Sequence, residues 1–279
     1  MFRSLVVDQG PLLVGAGSSP FAVLAAKATL EPMEQITHFA ETNHRKSRKP
    51  FGLYLEDRFS HVYIIGRTGT GKSTLMRTMA EGDLRHGQGF ALLDPHGDLV
   101  KAIRDGVLPE TSGRVTYLDV PTREASWSFN PLEVPPGVDP ALLAAGLVDV
   151  FHKIWSEDWG PRLEHLLRNV VLTLLNVPGA TLGAVPRLLT DWRFRNALIV
   201  KIRDPVVRRF WTDEFNRYSA GFRSVVVAPL QNKVGAMLSD PRLRAVLTKP
   251  QSSFDLRAIM DGSGVLLVNL SKGQLGEGP

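Results

Sequence analysis

The spacing of apolar residues changes character along the chain, and those changes divide it. "RSLVVD" near the start reads as a strand, followed by a Gly/Ser/Pro loop, and apolar positions then recur at helical spacing from about Phe21 to Glu41. A basic run, "HRKSRKP", follows and ends at Pro50. From there strand and helix patterns alternate. "FGLYL" and "HVYIIG" read as strands, the second β-branched and apolar enough to be buried on both faces of a parallel sheet. Lys72 to His86 reads as a helix, "GFALLD" as a strand, "GDLVKAIRDGVLP" as a short helix and "RVTYLDV" as a strand. Such alternation predicts a parallel α/β sheet with right-handed crossovers.

The pattern becomes helical from Asp139. "DPALLAAGLVDVFHKIW" and "GPRLEHLLRNVVLTLLN" are amphipathic, the second carrying Leu163, Leu166, Leu167, Val170, Val171 and Leu174 on one stripe, with Pro161 suited to its first turn. Helical spacing continues through "DPVVRRFWTDEFNRY" and "SAGFRSVVVAPLQNKVGAMLSD" to about Met260, and a buried strand returns only at "GVLLVNL". The predicted fold is an α/β sheet domain interrupted by an all-α lobe. Its expected limits are an N-terminal segment and linker over 1–49, the sheet domain over 50–138 and 261–279, and the inserted lobe over 139–260.

Composition narrows the chemistry. Cysteine is absent, which excludes disulfides and thiolate metal sites, and the seven scattered histidines suggest no structural zinc. Lys plus Arg exceed Asp plus Glu by 33 to 28, an excess that suits a solvated basic surface or an anionic partner such as nucleic acid. The most apolar run, "PLLVGAGSSPFAVLAAKATL", is interrupted by Gly, Ser and Pro20 and carries Lys27, so no membrane span is predicted and a soluble chain is expected.

The most specific chemical signal is "HVYIIGRTGTGKSTLM". Gly66-x-x-x-x-Gly71-Lys72-Ser73 satisfies the strand–loop–helix phosphate-binding pattern. Backbone N–H groups of Gly66, Arg67, Thr68, Gly69, Thr70, Gly71, Lys72, Ser73 and Thr74 are candidates to circle the phosphates, because glycines let the backbone approach without a Cβ in the way. Lys72 would neutralise the β and γ oxygens and Ser73 would place its hydroxyl on Mg²⁺. No Asn-Lys-x-Asp guanine-reading run follows, which points to ATP.

Asp94 in "FALLDPHGDLV" ends an apolar strand, where a carboxylate for magnesium is often found; it also begins a turn, since Asp-Pro and His-Gly are turn dipeptides. In ATPases that activate water, the metal aspartate is commonly followed by a glutamate base. Pro95 follows Asp94, and Val120 follows Asp119 in "VTYLDV".

Together "YIIGRTGTGKSTLM", "ALLDPHGDLV", "FNPL", "WGPRLEHLLRNVVLTLL", "LQNKVGAMLSDPRLRAVL" and "GVLLVNLSKGQLGE" resemble the HerA/FtsK superfamily of ring-forming DNA-pumping ATPases, and most of all the conjugative coupling proteins of type IV secretion. The resemblance runs from about His38 onward. It implies a RecA-like phosphate-loop NTPase sheet domain with an inserted all-α lobe, ATP and Mg²⁺ as ligands, and assembly into a ring, by resemblance a hexamer. DNA or a relaxase–DNA complex would be the substrate, with secretion-channel components as further partners and a cytoplasmic location, attached to the membrane's inner face through those partners.

The resemblance also implies an Asp-Glu pair on the strand after "GVLLVNL", beyond Pro279, which leaves Asp94 at an edge of the nucleotide site and the chain expected to be shorter than a whole motor. It calls for an arginine from a neighbouring subunit, for which Arg162 and Arg168 are candidates. Basic residues Arg193, Arg195, Lys201, Arg203, Arg208, Arg209, Arg217, Arg223, Lys233, Arg242, Arg244 and Lys249 are interleaved with Trp192, Phe194, Phe210, Trp211, Phe215, Tyr218 and Phe222. The aromatics are expected to fill the lobe's core, and the basic face to meet DNA. Two other readings remain open: a soluble HerA-like DNA-processing translocase, and an ATP-binding docking module that does not hydrolyse.

Overall fold

The computed structural model describes residues 36–43, 48–107, 109–122 and 125–271. The expected strand Arg3–Asp8, the expected helix before Ile36, the middle of the basic run and the segment after Ser271 lie outside them. Residues cluster into two compact units. One comprises the described residues up to Tyr117 with Arg257–Val268; the other comprises Leu118–Leu256 with the described residues from Asn269.

The first unit opens with a hairpin. β1 (Ile36–Glu41) pairs antiparallel with β2 (Pro50–Tyr54), Ile36 opposite Tyr54, with a register shift between His38 and Ala40. This corrects the helix expected to reach Glu41. Phe39 meets Phe51 across the pair edge-on at 5.8 Å, a cross-strand contact that, with the β1–β2 ladder, outweighs local helix propensity. The backbones approach so closely that a Cβ on Gly52 would lie 2.0 Å from the Thr37 carbonyl oxygen. The basic run therefore joins two paired strands, and Thr42 N–H donates to the Lys49 carbonyl at 2.9 Å.

α1 (Leu55–Arg58) follows, and then α2 (Lys72–Arg85) as expected. Arg58 clamps the two together: its guanidinium donates to both Asp83 oxygens at 2.6 Å and to Thr37 Oγ1 at 2.7 Å. Next come β3 (Phe90–Asp94), α3 (Asp98–Asp105), α4 (Pro109–Ser112) and β4 (Val115–Asp119).

The helical unit begins with α5 (Pro140–Ile154) and α6 (Pro161–Leu175), then α7 (Val185–Thr190), α8 (Trp192–Ile199) and α9 (Pro205–Arg209). A π-helical turn at Phe210–Glu214 and a 3₁₀ turn at Phe215–Arg217 lead into α10 (Ala220–Ser239) and α11 (Pro241–Leu247). Asp-Pro pairs start three of these helices. Asp139, Asp204 and Asp240 accept from the N–H groups of Ala141, Val206 and Arg242 at 2.9, 2.7 and 2.7 Å, and the proline after each occupies the first helical position, where its missing donor costs nothing. All six apolar stripe residues of α6 are buried, and Val170 and Leu174 are completely enclosed. They pack in one core with Trp211, Phe215, Leu188, Ile202 and Leu230.

After α12 (Leu256–Asp261), β5 (Val265–Asn269) enters the middle of a three-stranded parallel sheet ordered β3-β5-β4. Its central place explains the continuous apolar run of "GVLLVNL": Val265 and Leu267 are fully buried, against Val100 and Ile103 of α3 and Ala80 and Leu84 of α2. The result is a mixed α/β protein, a small parallel sheet flanked by helices with a helical lobe, consistent with a RecA-like phosphate-loop fold.

One strand expectation fails. "HVYIIG" carries no strand ladder, and Tyr63 and Ile65 are 80% and 74% exposed. Parallel strands acquire both hydrogen bonds and burial from non-local neighbours. Among the described residues β3, β5 and β4 pair with one another and none pairs with 61–66.

Candidate functional site

The loop after His61–Ile65 is built by its glycines. Gly69 and Gly71 adopt φ of +82° and +90°, the left-handed region where other residues are strained, and Gly71 is also the N-cap of α2. Gly66 has a steric requirement instead: a Cβ there would meet Thr70 Oγ1 at 2.5 Å. Thr70 fixes the turn by donating from Oγ1 to the Arg67 carbonyl at 2.8 Å, and its N–H reaches the same oxygen at 3.3 Å. Lys72 folds back across the loop, its Nζ donating to the carbonyls of Gly66 and Arg67 at 2.8 Å each. Thus Gly66 through Thr74 form one continuous loop-to-helix segment that brings the ammonium group, the Ser73 hydroxyl and the first N–H groups of a 14-residue helix to one place. Arg67, Thr68, Ser73 and Thr74 are exposed there. The positive end of the helix and the glycine-opened backbone fit a chain of phosphates, and the Ser73 hydroxyl, one residue into the helix, suits a magnesium ion carried by them.

Asp94 belongs to a different construction. It is buried, and its oxygens accept from the N–H groups of His96, Leu99 and Val100 at 2.9, 2.8 and 3.2 Å. Burial alone would raise its carboxyl pKa; the N–H groups of His96, Val100, Gly97 and Leu99 outweigh that and hold it below the ordinary value. The side chain therefore organises "PHGD" and the start of α3, leaving His96 and Asp98 exposed. Asp119 is similarly engaged, accepting from Asn269 Nδ2 and Thr122 Oγ1 at 2.8 Å each.

Arg162 and Arg168 lie on the first two turns of α6. Arg168 is paired with Glu164 at 3.0 Å, whereas Arg162 lies over the Phe222 ring, 5.8 Å from its centroid. Trp159 of "WGPR" donates its indole N–H to Glu164 at 3.0 Å, and Gly160 and Pro161 supply the N-cap and first turn. Of the lobe's aromatics, Phe210, Trp211 and Phe215 are buried in its core, while Trp192 and Phe222 are exposed. Among the basic residues Arg195 departs from the expected surface coat. It is 2% exposed, donates to the carbonyls of Leu188 and Leu189 and to Asn216, and lies over Phe215; burial lowers its pKa.

Sequence reasoning attached no structural role to the "FNPL" asparagine. Asn130 is buried, donates from Nδ2 to the carbonyls of Ala180 and Pro250 at 2.9 and 2.8 Å, and accepts from Leu132 N–H, so it fastens the entry and exit of the helical unit together. Arg58 and Asp83 were also missed. The available signal was an aspartate on the apolar side of α2, where a buried charge requires a partner.

Residues 43–140 match the family model described as "Helicase HerA, central domain". Among solved structures, the bacterial conjugative coupling protein TrwBdeltaN70 in its unbound monoclinic form aligns with a TM-score of 0.51 and 19% sequence identity, over 88% of this chain and 51% of that one. The chain thus spans about half the length of that coupling protein, and at this identity the likeness concerns the fold. No curated protein sequence matches the chain. Residues 43–140 are thus similar to the HerA central-domain family, and the chain is similar in fold to the coupling protein.

Proposed function

We propose that this chain is the ATP-binding motor portion of a DNA translocase of the conjugative coupling type. The observation that carries the reading is the Gly66–Thr74 segment, whose left-handed glycines, returning lysine and helix N-terminus form an anion cradle. Lys72 would exchange its two carbonyl contacts for β and γ phosphate oxygens, a charge-assisted and therefore stronger pairing. Backbone N–H groups of Arg67 through Thr74 would hold the phosphates in place, and Ser73 would hold Mg²⁺. The metal, when bound, would neutralise charge developing on the transferred phosphoryl group.

Asp94 acts as an organiser of the adjacent turn in this reading. The arginine supplied between subunits is assigned to Arg162 or Arg168, of which Arg162 has no carboxylate partner among the described residues. The full protein would assemble as a ring, take DNA or a relaxase–DNA complex as substrate, and work in the cytoplasm beside the membrane's inner face through channel partners. No helix among the described residues is long and apolar enough to cross a membrane.

The test is steady-state ATP hydrolysis with and without DNA, beside Lys72→Ala. DNA-stimulated turnover that Lys72→Ala removes supports the motor. ATP binding without turnover, unchanged by DNA, would favour the docking-module reading.

A further inference from the structure

The helical unit gathers polar and aromatic groups at one place, remote in sequence from the phosphate loop. A cavity of about 340 Å³ opens between the first turns of α6, the π-helical turn and the start of α10. That volume lies at the lower end of small-ligand pockets, roughly 300–1,000 Å³. The turn at Phe210–Glu214 takes the wider π form rather than continuing α9, a distortion found disproportionately at functional sites. It places Phe210 in the core and Glu214 on the cavity wall.

The Glu214 carboxylate is positioned from both sides. Tyr218 donates its hydroxyl to Oε1, and His165 Nε2, as the donor tautomer, reaches Oε2 at 3.2 Å. Each oxygen retains one further lone-pair direction, and the side chain is 43% exposed toward an incoming group. Burial and the bond to Glu214 push the Tyr218 hydroxyl up to about 12, so it remains a donor over the whole physiological range. Beside this acceptor lies an apolar corner, with the Phe222 and Tyr218 rings nearly perpendicular at 4.9 Å between centroids. The Arg162 guanidinium lies over that ring. Arg168 on the same helix and Arg217 after the π-helical turn each have a carboxylate partner, and Arg162 has none among the described residues.

We propose that this cavity binds a guanine nucleotide, with Glu214 accepting from N1–H and the exocyclic N2–H, the base packed in the corner that Phe222 and Tyr218 form, and the phosphate on Arg162. Guanine alone among the bases presents two adjacent donors on its pairing edge. Adenine and cytosine would each turn a ring-nitrogen acceptor toward the carboxylate, and thymine offers one donor flanked by two carbonyls. An arginine side chain would satisfy Glu214 but would bring a second cation into the cavity that Arg162 occupies. The nucleotide could be free or an unstacked residue of a single strand; the recognising chemistry is the same.

The test uses the full chain carrying Lys72→Ala, which weakens the phosphate loop, so that this proposal and the ATP reading fail separately. Binding of GMP, AMP and CMP is measured by calorimetry. Binding of two labelled ten-nucleotide strands, all thymidine or thymidine with one central deoxyguanosine, is measured by anisotropy. A preference for guanine of roughly ten- to a hundredfold is expected, the range of one good paired-donor contact. Selection among mononucleotides identifies a free nucleotide as the source; selection only between the strands identifies an unstacked base.

Glu214→Gln should abolish the preference while Arg162→Ala weakens all nucleotides alike. Phe222→Leu, at an exposed position, should weaken binding with unchanged thermal melting, which guards against simple misfolding. Equal binding of all bases, no binding by a folded chain, or a guanine preference that survives Glu214→Gln would overturn the proposal.

Discussion

The two units obtain their order in different ways. In the helical unit the backbone satisfies itself, and side chains at helical spacing close a single large core in which Trp211, Phe215, Val170 and Leu174 are sealed from water. In the sheet unit a smaller core joins α2, α3 and β5, while Tyr63, Ile65 and Leu93 remain 80%, 74% and 61% exposed. Part of what the sheet unit's apolar sequence can bury is thus left unburied. Within that unit the glycine loop before α2 is held by glycine conformations and hydrogen bonds. The helical unit is organised by packing; the glycine loop of the sheet unit is organised by backbone conformation and hydrogen bonds.

Substitutions can break or sharpen that contrast. The largest stability loss is expected from Arg58→Ala, which leaves Asp83 buried and unpaired and should cost about 3–5 kcal/mol in urea unfolding. Leu167→Ala, in the sealed helical core, should cost about 2–5 kcal/mol and lower the melting of that unit. Asp94→Ala strips three N–H groups of their acceptor and should cost about 1–3 kcal/mol, with the loss of protection concentrated at His96–Val100 in hydrogen exchange. Ile65→Ser, by contrast, should change unfolding free energy by no more than about 0.5 kcal/mol, as for an ordinary surface change. A large loss at Ile65 would mean that the segment is packed in solution.

The smallest effects are on pH dependence, and they have opposite signs. Asp94 titrates below its ordinary 3.8 when folded, so its contribution is complete above that value and is lost as pH falls through the lower folded pKa. Asp240, beside Arg242 and held at about 2, loses its contribution between pH 3.8 and about 2. Tyr218 is raised from 10.0 to about 12; its contribution is complete below pH 10 and disappears as pH rises through about 12. Stability measured at both extremes should therefore show an alkaline loss that Tyr218→Phe removes and an acid loss that it leaves intact.

What was legible in the sequence follows the same division. The stripe of α6 and the helix α5 carry their own periodicity, and β5 its continuous apolar run, so their type and place could be read directly. Glycine spacing around Lys72 specified the phosphate loop, because few other backbones tolerate that conformation. "ITHFAE" and "HVYIIG" were misread because strand identity depends on partners elsewhere in the chain: the first gained one in β2, and the second has none among the described residues. Asp-Pro illustrates a subtler limit. At Asp139, Asp204 and Asp240 it starts a helix, whereas at Asp94 it ends a strand and captures the N–H groups of a turn. The dipeptide reports an aspartate accepting from nearby backbone, and only the preceding apolar pattern distinguishes the outcomes. The π turn at Phe210–Glu214 left no periodic signature, so the cavity that it forms was not foreseen.

The most direct measurement is a calorimetric titration of Mg-ATP into the chain, with hydrogen exchange recorded on the free and saturated forms. The account predicts one binding event, protection confined to Gly66–Thr74 and the segments around it, and loss of both in Lys72→Ala. Unchanged affinity in Lys72→Ala, or protection confined to the helical unit, would contradict it.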